Sequence, residues 1–137
     1  MPDCIFCKIV QGEIPATKVY EDSQVLAFMD INPLNKGHTL VIPKRHAETI
    51  WEISPEDLTS VIQVAQKVAL AIEKGLNPDG LTVVQLNKKA AGQVVPHLHI
   101  HLIPRFENDG LTISKWEPVP GDMDEIKQVA ELIKRWV

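Results

Sequence analysis

Three of the five histidines in this chain stand at alternate positions in the run His97-Leu98-His99-Ile100-His101-Leu102-Ile103. Neutral imidazole near pH 7 is a nucleophile, a general base and a metal ligand, so the triplet admits two hydrolytic chemistries. In the first, one histidine attacks phosphorus and forms a phosphohistidine-type intermediate that water then splits, while its neighbours hold the phosphate charge. In the second, two or three histidines ligate zinc, which lowers the pKa of a bound water. The spacing alone does not choose between them. Cys4-Ile5-Phe6-Cys7 is a second constellation, two sulfurs at the spacing that structural zinc sites use. There is no second such pair, so any further ligands must be histidines; two free thiols, or less readily a redox pair, fit the same residues.

The elements that must position these groups follow from pattern. Pro96 and Pro104 bracket the histidine run, and proline is excluded from central ladder positions, so a short strand between two stops is expected. Its side chains would alternate, with the imidazoles on one solvated or ligand-facing surface at roughly 7 Å steps and Leu98, Ile100 and Leu102 turned into a core. Lys18–Glu21 and Gln24–Asp30 read as a hairpin about Asp22-Ser23, and His38–Ile42 as a strand closed by Pro43. Ser54-Pro55-Glu56-Asp57 is a helix start, with a serine cap, proline in the first turn and acids at the positive end of the dipole. Leu58, Val61, Ile62, Ala65, Val68, Ala69 and Ile72 continue that helix as an apolar stripe ending near Gly75 or Asn77-Pro78. Residues 80–87 alternate like a strand, 88–95 form a loop into the histidine run, and 122–136 read as a C-terminal helix with Ile126, Val129, Leu132, Ile133 and Trp136 on one stripe. Strands and helices in this order indicate an α+β domain with an antiparallel sheet.

At 137 residues, 45% hydrophobic and 23% charged, the chain fits one domain, 1–137, with a real core. Apolar runs of four or five residues, such as Val68–Ile72, are far too short to span a bilayer, so no membrane partner is expected. A net charge of −4 with scattered Lys and Arg gives no basic field for a long nucleic acid and favours a small ligand. Neither a GxxxxGK nor a GxGxxG loop is present. The N-terminal run has no basic segment or apolar h-region, so a cytoplasmic setting with reduced thiols is expected.

Gly92-Gln93-Val94-Val95-Pro96-His97-Leu98-His99-Ile100-His101-Leu102 resembles the motif of the histidine triad (HIT) superfamily. Cys4–Ile9, Gly12-Glu13-Ile14-Pro15, Leu26–Ile31 and Gly37–His46 resemble its nucleotide-binding, Hint-type branch, so the likeness covers about residues 4–105. It implies a five-stranded antiparallel sheet with a long and a shorter helix, in a homodimer whose sheets join. It also implies hydrolysis of purine nucleoside monophosphate esters, amides or anhydrides at the α-phosphorus through a nucleotidyl-histidine, with no catalytic cofactor.

Carried over by position, His99 is the nucleophile, His101 contacts phosphate and leaving group, and His38 is a fourth active-site histidine. Gln93 and Asn87 lie near the phosphate or leaving group, Asp30 accepts the ribose hydroxyls, and Ile5, Phe6, Phe28 and Ile31 enclose the base. Cys4, Cys7, His46 and His97 correspond to a closed structural zinc site, with the His97 backbone still orienting His99. Val94 departs from the branch, which usually has a serine touching the phosphate there, and a hydrogen-bond donor is thereby lost. Pro96 replaces a commoner aromatic or basic residue.

Overall fold

Five antiparallel strands form the sheet in a computed structural model that describes residues 3–112 and 119–137. They are β1 (Lys18–Glu21), β2 (Val25–Met29), β3 (Thr39–Pro43), β4 (Gly80–Gln85) and β5 (Ile100–Arg105), in the order β1-β2-β3-β5-β4. Asp22 makes the first turn, its Oδ1 accepting the N–H groups of Gln24 and Val25. Helices α1 (Ile5–Val10), α2 (Pro55–Leu76) and α3 (Met123–Lys134) complete the α+β fold. Among the described residues no helix is long and apolar enough to cross a membrane.

Every residue of β2 and β3 is buried because both sheet faces are covered. Val25, Ala27, Met29 and Val41 face a core made with α2 and α3, joined by Leu98, Ile100 and Leu102. Leu26, Phe28, Leu40 and Ile42 face the other way, against Phe6, Cys7 and Ile9 of α1. Helix α2 starts as its sequence dictates: Ser54 Oγ accepts the Asp57 N–H at 3.1 Å with Pro55 in the first turn. It ends at Asn77, whose left-handed backbone (φ 50°) closes the helix. Its buried face is Val61, Val64, Ala65, Val68, Ala71 and Ile72. Ile62, expected in that stripe, is half exposed, because the face is centred on Val61, Val64 and Val68. Helix α3 buries Ile126, Val129, Ala130 and Ile133, while Trp136 lies past its end and outside the core, beneath Lys74 Nζ.

The histidine strand is shorter and later than its prolines suggest. Pairing with β4 begins at Gln85–Ile100 and with β3 at Val41–Ile100, so His97, Leu98 and His99 precede the ladder. There, Leu98 N–H donates to Ala47 O at 2.7 Å instead. Pro104 does not end the strand. Arg105 O accepts from Asp79 N–H on the β4 side, so Pro104 points toward β3, beyond the last β3 pair at Thr39–Leu102. Its missing N–H therefore breaks no bond, and its carbonyl accepts from Asn35 Nδ2 at 3.0 Å. The likeness implies a shorter helix without locating it; local pattern does not mark α1, which has six residues and is capped by Cys4 accepting Cys7 N–H on sulfur at 3.4 Å, a signal outside the usual capping set.

Replacing fully buried Ile72 with alanine should lower unfolding free energy by ~2–5 kcal/mol, while the half-exposed Leu70→Ala changes it by under about 0.5 kcal/mol. Chemical denaturation of both variants checks this; equal losses would contradict the placement of the α2 face.

Candidate active site and metal centre

The histidine triplet divides between two places. Backbone alternation sends Leu98, Ile100 and Leu102 into the helix-side core and the imidazoles to the α1 side. That side is not solvated: His97, His99 and His101 are all buried, because α1 and the loops on either side close over them. His99 and His101 lie ring to ring at 4.8 Å, and both line a cavity of about 480 Å³. His97 turns instead toward the cysteines, its Nδ1 3.3 Å from Cys4 Sγ and 3.6 Å from Cys7 Sγ.

Hydrogen bonds fix where the protons sit. A carbonyl only accepts, so the 2.7 Å contact between His99 Nδ1 and His97 O places the proton on Nδ1 and the lone pair on Nε2. Burial lowers the His99 pKa and keeps the ring neutral, as a nucleophile requires. His38 Nδ1 accepts from Leu34 N–H at 2.9 Å, so its Nε2 carries a proton and donates to His101 Nδ1 at 3.0 Å. His101 is then protonated on Nε2. Burial also pushes His38 down to about 4 and His101 well below the usual range, so this relay is neutral and its directions are set by geometry. Asp30 sits beside it, Oδ2 at 3.5 Å from His38 Nε2 and Oδ1 accepting Asn32 N–H at 2.8 Å.

The cavity gathers most of the residues expected from sequence. Ile5, Phe6, Phe28, Asp30, Ile31, His99 and His101 all line it; His38 lies behind His101. Ile9, Ile14, Leu40 and Leu86 also line it and were not anticipated. Ile9 follows Ile5 by one helical turn, so recognising α1 would have found it. Among the described residues that line it there is no lysine or arginine, and Asp30 is the one carboxylate. Val94 stands in the wall 86% exposed, with no hydroxyl to offer.

Asn87 and Gln93 are not brought onto the cavity surface. Gln93 Oε1 accepts Lys88 N–H at 2.6 Å, and its Nε2 donates to Glu48 O at 2.7 Å. Asn87 Oδ1 accepts Ile50 N–H at 2.7 Å and pairs with Gln85. The two amides clamp the 48–50 and 88–93 loops together and hold Lys88 at φ 70°, a conformation L-residues rarely adopt.

Cys4, Cys7, His46 and His97 form the second centre, their four ligand atoms within 4.8 Å of one another. His97 Nε2 lies 2.8 Å from Pro43 O, so it carries the proton and leaves the Nδ1 lone pair facing the thiols. His46 Nδ1 is 3.2 Å from Cys7 Sγ. A tetrahedral zinc with ordinary Zn–S and Zn–N bonds needs S···N edges of about 3.5 Å, and the contacts match. Asp30, His38 and His101 also approach within 4.8 Å, but His38 cannot offer Nε2 to a metal while Nδ1 accepts from Leu34.

The HIT domain family model matches residues 11–108. Adenosine 5'-monophosphoramidase hnt1 of Schizosaccharomyces pombe is 43% identical over 131 residues, 95% of each chain. Adenylylsulfatase HINT3 of Arabidopsis thaliana is 43% identical over 113 residues, 82% of this chain and 57% of its own. A crystal structure of a HIT-like protein from Bartonella henselae superposes with a TM-score of 0.90 at 39% identity, covering 100% of this chain and 98% of that one. The zinc-bound histidine triad family protein of Mycobacterium smegmatis superposes with a TM-score of 0.86 at 36% identity, over 98% and 92% of the two chains. A family model spanning most of the sequence, relatives matched nearly end to end and the shared sheet establish that this chain belongs to the HIT domain family, with Hint-type proteins among its relatives.

Proposed function

We propose that this chain is a nucleotidyl hydrolase cleaving purine nucleoside monophosphate derivatives at the α-phosphorus, with phosphoramidates preferred and dinucleoside polyphosphates as further substrates. The observation that carries this reading is the His99 Nδ1 to His97 O contact, which leaves a neutral nucleophile with its lone pair on Nε2 in a cavity of small-molecule size. Ile5, Phe6, Phe28 and Ile31 enclose the base and Asp30 accepts the ribose hydroxyls. His99 Nε2 attacks phosphorus, and the leaving group departs with the electron pair of its bond to phosphorus and takes a proton from solvent. His101 donates Nε2–H to the phosphate or the leaving group. Water then splits the P–N bond, returning the lone pair to His99 and releasing the nucleoside monophosphate. Asn87 and Gln93 serve by holding the wall that carries Gly92 and Val94.

Zinc on the triplet is the weaker reading, since His97 Nδ1, His99 Nδ1 and His101 Nδ1 face three different partners. We place a structural zinc on Cys4, Cys7, His46 and His97, where a closed set of protein ligands leaves no open position for substrate. Its contribution there is folding energy, through α1 and the 95–98 segment. The missing hydroxyl at Val94 supports a second reading, a nucleotide-binding regulatory protein whose hydrolysis is incidental. By family likeness the active form is a homodimer with a continuous sheet; β4 is an edge strand and carries half-exposed Val83.

With adenosine 5′-phosphoramidate the wild type should turn over, and His99→Ala, folded by circular dichroism, should lose on the order of 10⁴ or more in kcat. Acid-quenched mass spectrometry should show an adenylyl adduct on the His99 peptide. Binding without turnover would leave the regulatory reading instead. Cys4→Ser with Cys7→Ser should lose bound zinc by elemental analysis and melt at lower temperature than the wild type; a zinc-replete double variant would refute the ligand set. Light scattering at micromolar concentration should give the mass of a dimer, and a stable monomer would overturn that assembly.

A further inference from the structure

A smaller cavity, about 150 Å³, lies behind the first. Met29 and Asp30 line both, so the end of β2 is the partition between them. The far wall is Gly121, Asp122 and the start of α3. Gly121 N–H donates to Ile31 O at 3.0 Å. A Cβ on Gly121 would stand 2.7 Å from Pro33 Cδ, 2.8 Å from Pro33 Cγ and 3.0 Å from Ile126 Cδ1. Gly121 does not occupy the left-handed region, so it is space and not backbone conformation that requires glycine. The proline ring cannot swing aside as a flexible side chain would.

Gly121 is itself held in place. Asp122 caps α3, its Oδ1 accepting Asp124 N–H at 2.9 Å and Glu125 N–H at 3.4 Å. Ile126, Val129 and Ile133 bury that helix against the core. The helix thus presses a side-chain-free residue against the turn that carries Asp30 and Ile31. We infer that Gly121 is a positioning residue of the nucleotide pocket, setting the Asp30–Ile31 turn from behind by one backbone hydrogen bond and a close fit to Pro33. This rests on reading the main cavity as the nucleotide site. His99, the proposed nucleophile, lies on the far side of the partition, so Gly121 acts first on how the nucleoside is held.

The test compares wild type, Gly121→Ala, Gly75→Ala, Pro33→Ala and the Pro33→Ala/Gly121→Ala pair, by adenosine 5′-phosphoramidate kinetics and AMP calorimetry. Gly75→Ala is the control for disturbance confined to the C-terminal end of α3, because its Cβ would meet Leu132 O at 2.5 Å, about ten residues from Gly121. In Gly121→Ala, KM and the AMP dissociation constant should rise about tenfold with kcat held, the scale of one lost hydrogen bond. Gly75→Ala should leave KM unchanged. The double variant should match Pro33→Ala, since the new methyl occupies the space the ring vacates; this comparison also serves if Gly121→Ala alone does not fold. Unchanged KM in Gly121→Ala, an equal rise in Gly75→Ala, or a double variant worse than Pro33→Ala would each overturn the inference. A wild type that binds no AMP would overturn the nucleotide reading along with it.

Discussion

His97 is the residue on which the rest of the site depends. Its Nε2–H is fixed to Pro43 O at the end of β3, its Nδ1 faces Cys4 and Cys7, and its carbonyl accepts the Nδ1 proton of His99. One residue thus joins a sheet strand, the cysteine–histidine cluster and the ring proposed to attack phosphorus. Because the segment around it lies outside the ladder, its position rests on these bonds and on Leu98 N–H to Ala47 O. The cluster gains its significance from that position: anything bound between the sulfurs and His97 holds the backbone that sets the His99 tautomer.

Burial of the sheet on both faces makes this arrangement possible. Helix α2 covers one face as a long amphipathic element, and α1 covers the other with six residues tethered at Cys4 and Cys7. A six-residue helix has little stability alone, so its placement comes from packing of Phe6, Cys7 and Ile9 on Leu26, Phe28, Leu40 and Ile42. The same helix supplies Ile5, Phe6 and Ile9 to the cavity wall. The base side of the proposed nucleotide site and the cysteine cluster are therefore two surfaces of one short element.

The buried imidazoles at and behind the cavity are neutral. Desolvation lowers His38, His97, His99 and His101 together, so these imidazoles act through directed donors and lone pairs rather than through charge. Among the described lining residues the donors that face a phosphate are neutral. This places weight on the chain from Leu34 N–H through His38 to His101, which turns a backbone amide into a fixed side-chain donor.

Much of this molecule follows from local sequence. The Ser54 cap and the α2 stripe, the Asp22 turn, the strand segments and the alternation that opposes His97, His99 and His101 to Leu98, Ile100 and Leu102 depend on neighbours in the chain, which is why they could be read there. The family motif named the histidines, the cysteines and Ile5, Phe6, Phe28 and Ile31 of the cavity wall. Tertiary structure alone decided the rest. Pro104 continues β5 because β3 ends before it, α1 lies at Ile5–Val10 because its apolar residues cover a sheet face, and Ile62 faces solvent because the α2 face is set by what it packs on. Asn87 and Gln93 turn away to clamp loops, and Gly121 meets Pro33, because partners far apart in sequence converge there. Residue type and spacing fix what a side chain can do; only the packing of distant segments fixes which proton, carbonyl or ring it meets.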